Sequence, residues 1–170
     1  MLRSRNKETR MDVGARRTEA YFAFVEAGSL LQQLMEDQLR RDANISYLQF
    51  FLLARLHQAP EGRLRMTDLA DSTVHSRSGL TYQAGRLEQA GLIERVPAPD
   101  DDRSVMAVIT DTGRDTYARA LPGHLDVVDQ GMFSALDDTQ LDALAGSLTA
   151  IRDRLRDLTP SAAARRRKRD

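Results

Sequence analysis

Cysteine is missing from this chain, and that removes thiol nucleophiles, disulfides, thiolate-bound zinc and cysteine-based oxidant sensing together. Long apolar runs are missing as well; none approaches the roughly 18 consecutive residues that a membrane helix needs, so no membrane partner is expected. Nor is there an excess charge of one sign, because 25 Lys and Arg balance 25 Asp and Glu. Affinity for nucleic acid therefore cannot rest on a general basic field and has to come from local geometry. The start, Met1-Leu2-Arg3-Ser4-Arg5-Asn6-Lys7, is basic but leads into no apolar segment, which argues against a secretory signal and for the cytoplasm. The signatures of common enzymes, G-x-G-x-x-G, the P-loop and G-x-S-x-G, do not occur. His57, His75 and His124 fall in three different elements without His-x-x-x-His spacing. Asp100, Asp101 and Asp102 are adjacent rather than spaced like calcium ligands, and the plainer reading is a turn. No catalytic residue, metal or cofactor is expected.

What is present is helical periodicity in a composition, 41% hydrophobic and 29% charged, that suits a soluble globular chain. Residues 1–16 mix basic and polar types without an apolar period and are expected to form a disordered arm. Over 17–45, Tyr21, Phe24, Val25, Gly28, Leu31, Met35 and Leu39 recur at threes and fours, which is one face of a long helix. A second helix opens at Ser46-Tyr47-Leu48-Gln49, a capping box with Ile45 and Phe50 placed as a hydrophobic staple. Its body, Phe50 to Leu56, is apolar on more than one side and should be buried, and Pro60 and Gly62 stop it.

Two short helices follow, the first capped by Thr67 and the second by Ser76 and ending at Gly91. Helices this short joined by a tight turn make a helix-turn-helix. In the second, Leu80, Ala84 and Leu87 form a core face. At about 100° per residue the opposite side is Ser78, Tyr82, Gly85 and Gln89, flanked by Thr81 and Arg86. Leu92–Val96 and Ser104–Ile109 then read as strands joined by Pro97–Arg103, a two-stranded wing. Thr110 caps a long helix with apolar positions Tyr117, Leu121, Leu125, Val128, Met132 and Leu136, bent at Pro122. A last helix starts at the box-like Asp137-Asp138-Thr139-Gln140, and its Leu141, Leu144, Leu148, Ile151, Leu155 and Leu158 alternate by three and four. A seam that regular is a partner-facing stripe. The end, residues 159–170, carries the block Arg165–Arg169 behind Pro160 and is expected to be a disordered basic tail; it could add phosphate contacts or simply be a solvated end.

Several of these pieces, in this order, resemble the MarR family of dimeric bacterial transcription regulators. They are Met66-Thr67-Asp68-Leu69-Ala70, Ser76-Arg77-Ser78-Gly79-Leu80-Thr81, Arg86-Leu87-Glu88-Gln89-Ala90-Gly91-Leu92-Ile93-Glu94-Arg95, Asp101-Asp102-Arg103 and Ile109-Thr110-Asp111-Thr112-Gly113. The resemblance implies a mainly α fold: a winged helix-turn-helix over 46–110, with dimerisation helices at 17–45 and 111–158. It implies a homodimer on a palindromic operator, more often a repressor, released by a small organic ligand. The expected DNA contacts are Arg77, Ser78, Gly79, Thr81, Tyr82, Arg86, Arg95 and Arg103, with Asp101 holding the wing arginine; Arg63 and Arg65 are further phosphate candidates. The stripe Leu141, Leu144, Leu148, Ile151 and Leu155 would dimerise. A ligand pocket would draw on Tyr21, Phe24, Phe50 and His57. Relatives that recognise urate carry a tryptophan in the first helix, and this chain has none. The competing reading is a helical dimer working by protein contacts, whose winged helix no longer binds DNA; zero net charge and the glycines at 79 and 85 favour it.

Overall fold

In the computed structural model the apolar run after Ser46 lies in the core, with Leu52, Leu53 and Leu56 fully enclosed and Phe50 nearly so. The structure describes residues 2–72, 77–99 and 101–158, with the side chains of 13–72, 78–99 and 104–158. Its elements are α1 (Leu2–Ala43), α2 (Tyr47–Gln58), β1 (Arg63–Arg65), α3 (Met66–Asp71), α4 (Arg77–Gln89), β2 (Ile93–Ala98), β3 (Asp101–Ile109), α5 (Asp111–Gly131) and α6 (Asp138–Leu158). The chain forms two compact units, residues 1–128 and 129–170.

The capping box of α2 is formed as read: the Ser46 hydroxyl accepts from the Gln49 amide at 3.3 Å and the Gln49 side chain accepts from the Ser46 amide at 2.9 Å. Ile45 and Phe50, the staple pair, are both buried in the same cluster. Around α2 pack the inner faces of α3 and α4, represented by Leu69, Leu80, Ala84 and Leu87, together with Ile93 and Ala107 from the sheet and Tyr117 and Ala120 from α5. Only the C-terminal end of α1 joins them, through Leu39. There it is fastened to α5: Gln38 Nε2 donates to the Ala120 carbonyl at 3.1 Å and Arg119 Nε to the Asp42 carbonyl at 3.2 Å. Gly123 permits this approach, since a Cβ there would stand 2.6 Å from Asp42 Oδ2.

The structure corrects the sequence reading in several places. Residues 2–16, expected as a disordered arm, continue α1; the segment has no proline, and its Arg, Lys, Glu, Met and Ala are good helix formers. The basic tail, 159–170, lies outside the described residues, as does Ser76. Thr67 is not a cap: α3 begins at Met66 behind Arg65, with no side-chain cap bond. The wing is part of a three-stranded antiparallel sheet in the order β1-β3-β2, because Arg63-Leu64-Arg65, read as loop, pairs with Val108, Ala107 and Met106. Finally, α5 stops at Gly131, a weak helix former, so that Met132 and Leu136 flank a 3-10 turn at Phe133–Ala135 instead of extending the face of α5.

Candidate nucleic-acid interface

The 3.6-residue period divides α4 into two sides. Leu80, Ala84 and Leu87 are wholly buried, and opposite them Tyr82 is 64% exposed, with Ser78, Thr81, Arg86 and Gln89 also on the open side. Gly79 and Gly85 are half-buried, and a Cβ at Gly85 would meet nothing within 4 Å. The side chain of Arg77 lies outside the described residues.

A Schellman turn leads from α4 into the wing. Gly91, at φ +70°, donates to the Glu88 carbonyl at 2.9 Å, and Leu92 donates to the Leu87 carbonyl at 2.9 Å. Glycine suits this left-handed position because it has no Cβ to clash. From there β2 runs against β3 in the register Ile93↔Ile109 to Pro97↔Val105, with a shift before Ala98↔Asp101. Thr110 closes the base: its hydroxyl donates to the Gly91 carbonyl at 2.7 Å and accepts from the Gly113 amide at 3.0 Å, which caps α5. Wing, recognition helix and α5 thus meet at one hydrogen-bonded corner.

Arg95, expected at the DNA, is paired with Glu88 of α4. Its Nε donates to Glu88 Oε2 at 2.8 Å and its Nη2 to the same oxygen. The hydrogen bond from Arg95 holds the Glu88 carboxyl below its ordinary range, and the same bond raises the guanidinium. This pair ties β2 to the recognition helix, a role that residue types alone did not reveal. Arg63 is paired with Glu61, and Arg65 lies in β1. The side chains of Asp101 and Arg103 lie outside the described residues.

The helix-turn-helix portion matches a sequence profile of the MarR family over residues 43–104. The HTH-type transcriptional regulator PecS of Dickeya dadantii is 32% identical over 124 residues, covering 69% of this chain and 73% of PecS. An uncharacterized HTH-type transcriptional regulator of Bacillus subtilis, YhbI, is 31% identical over 111 residues, 64% of this chain and 70% of that protein. Sco3205, a MarR family transcriptional regulator from Streptomyces coelicolor solved in complex with DNA, superposes with a TM-score of 0.79 at 34% identity, over 82% of this chain and 87% of that one. AbsC from the same organism gives 0.78 at 29%, over 82% and 94%.

The chain belongs to the MarR family. It is accordingly a transcription regulator of that family and not an enzyme. Among the described residues no group of His, Asp and Glu is placed to hold a metal ion, and no helix is long and apolar enough to cross a membrane.

The remaining site candidates of this MarR-family chain fall into two groups. On α6, Leu141, Ile151 and Leu155 are exposed and Leu144 and Leu148 half-buried, and the helix has no buried residue. The four pocket candidates are not brought together within the chain. Tyr21 and Phe24 are 61% and 54% exposed on α1, and Tyr21 is about 27 Å along the helix axis from Leu39. Phe50 and His57 belong instead to a row of rings between α2 and α5 that the sequence reading missed. His57 packs on Tyr117 at 4.8 Å, Tyr117 on Phe50 at 5.3 Å, Phe50 on His124 at 4.5 Å and His124 on Tyr47 at 6.3 Å. The Nδ1 of His124 is buried without a partner among the described residues, and burial lowers the pKa of that ring.

Proposed function

We propose that this protein is a homodimeric, sequence-specific DNA-binding regulator, acting as a repressor on a palindromic operator in the cytoplasm. The observation that carries the reading is the open side of α4, headed by Tyr82, on a helix whose other side is locked into the core beside a wing. The 34% identity to a MarR regulator solved on DNA supports it. In the proposed docking Ser78, Thr81 and Tyr82 face base edges, Arg77 and Arg86 meet phosphates, and Arg103, steadied by Asp101, reaches the minor groove. Dimerisation is assigned to the α6 stripe, and on a palindrome the two recognition helices of such a dimer would stand about one DNA turn apart.

A small, partly apolar effector is the proposed control. Its seat is assigned to the open end of the ring row, at His57 and Tyr117, where an exposed imidazole adjoins an apolar wall. An effector that prefers the spacing unsuited to DNA lowers DNA affinity by the coupling free energy with which DNA lowers its own, typically about 1–3 kcal/mol.

Titration of fluorescent duplexes tests the core of this reading against a dimer that works by protein contacts alone. The protein should prefer a site selected from random sequence over a shuffled duplex. Tyr82→Ala should remove about 1–3 kcal/mol of that preference, while Arg103→Ala should weaken both duplexes. Equal, weak binding of selected and shuffled DNA by the unaltered protein would leave the protein-contact reading standing.

A further inference from the structure

Along one flank of α4 runs an open polar groove of about 330 Å³. Its far wall is the corner where α1 turns into α2, carrying Arg40, Asn44 and Gln49; its near wall is Gln83 and Arg86 of α4, with Tyr82 at the lip. Asn44 makes the corner by adopting φ +54° and donating its amide to the Arg40 carbonyl at 3.1 Å, a left-handed helix stop that asparagine tolerates better than most residues.

Both cations of this region, Arg40 and Arg86, line the groove, and Arg40 also borders a neighbouring hollow with Glu36 and Asp37. The Glu36 carboxylate is occupied on both oxygens, one taking Arg40 Nη2 at 3.2 Å and the other the Tyr47 amide at 2.7 Å. Arg40, its side chain 68% exposed, thereby gives Glu36 a single nitrogen of its guanidinium. Gln49, whose oxygen accepts from the Ser46 amide, has its NH2 group left as a donor. Among the described residues no carboxylate lines the groove. It therefore presents two guanidinium groups and several amide donors, the chemistry that recognises a phosphodiester.

We propose that this groove is a seat for the DNA backbone, in which Arg40 of α1 and Arg86 of α4 grip one phosphate strand from its two sides. The inference rests on the DNA-binding reading above and adds the α1–α2 corner to the interface. Its physical reason is width. A helix with its side chains is about 10–12 Å across and the major groove about 12 Å, so a recognition helix lying there fills it. Groups standing on the flank of that helix meet sugar and phosphate rather than bases. A chain with no net charge has to supply its phosphate contacts at such built positions.

The experiment is a salt titration of DNA affinity with the full chain, on a selected site and on a shuffled duplex of the same length. Arg40→Gln should weaken both duplexes by the same factor and reduce the slope of log K against log salt by about 1 per protomer. Arg40→Lys should keep the slope, and Glu36→Gln, which removes the ion pair but keeps the cation, should keep it too. An unchanged slope in Arg40→Gln overturns the seat, as does a loss confined to the selected site. Loss of slope in Glu36→Gln equal to that in Arg40→Gln also overturns it, because Arg40 would then act only by shaping the corner. If Arg40→Gln does not fold, Arg40→Met, which keeps the length of the side chain and removes the cation, carries the same slope test. Failure of the unaltered protein to bind either duplex is a different result, and it refutes the DNA-binding reading itself.

Discussion

Gly113 and Gly85 are both helical, and replacing each by alanine should have opposite consequences. A Cβ at Gly113 would stand 2.0 Å from the Leu92 carbonyl oxygen and 2.9 Å from Ile109 Cγ1. That oxygen is fixed by the Thr110 amide at 3.2 Å, so the backbone of the wing corner would have to move. Gly113→Ala should cost about 1–3 kcal/mol or more. At Gly85 a Cβ meets nothing within 4 Å, and Gly85→Ala should gain about 0.5–1 kcal/mol of helix stability. Urea unfolding should move the two midpoints in opposite directions; a wild-type midpoint for Gly113→Ala would contradict the clash. Gly113 was legible in the sequence as part of a family pattern, but its reason was not, because the oxygen it accommodates belongs to the far end of the hairpin. Arg95 shows the same limit: its charge invited a DNA contact, and only the fold shows Glu88 beside it.

Between elements, the seam of α2 and α5 has a pH dependence that follows from one ring. Unfolded, His124 takes a proton near pH 6.5; in the fold its pKa is lowered by burial. Between the two values the unfolded chain holds the extra proton, so acid favours unfolding there. The contribution of the neutral ring is complete above about pH 6.5, falls away as pH drops toward the folded value, and changes no further below it. His124→Phe keeps an aromatic ring for Phe50 and Tyr47 while removing the titration, so stability measured against pH should be flatter below about 6.5 than in the unaltered protein. Identical slopes in the two proteins would show that His124 is not the group responsible. The caps of α2, α5 and α6 were readable before folding, since each joins a side chain to an amide three residues on: Gln49 to Ser46, Gly113 to Thr110 and Gln140 to Asp137. The ring row and strand β1 were not. His124 reaches Phe50, and Leu64 reaches Ala107, only after distant elements have packed, and a three-residue strand has no periodicity of its own.

At the scale of the whole molecule, the apolar surface left open by a single chain leads to a prediction about assembly. Tyr21, Phe22, Phe24, Val25, Leu30 and Leu34 are exposed on α1, as are Leu141, Ile151 and Leu155 on α6. Exposed apolar side chains in this number on one helix mark candidate interaction surfaces. Most helical stability in proteins comes from packing an apolar face, and α6 has no buried residue in the single chain, which is the ground for assigning its stripe to the proposed dimer. In the proposed homodimer, two-fold symmetry would set the same stripe of both protomers into one interface, so that a substitution acts twice. Leu148→Asp would place a carboxylate in the middle of the seam, where desolvating an unpaired charge costs several kcal/mol. Monomers are expected by light scattering, whereas Ala150→Asp, about 200° away around the helix, should leave the dimer intact. The melting temperature of the unaltered protein should rise with its concentration, as linkage to association requires, and that of Leu148→Asp should not. A monomer reads only one half-site, so the selected duplex should lose most of its advantage over the shuffled one. Persistent dimers in Leu148→Asp would move the interface to the exposed face of α1 and leave the regular stripe of α6 without its assigned purpose.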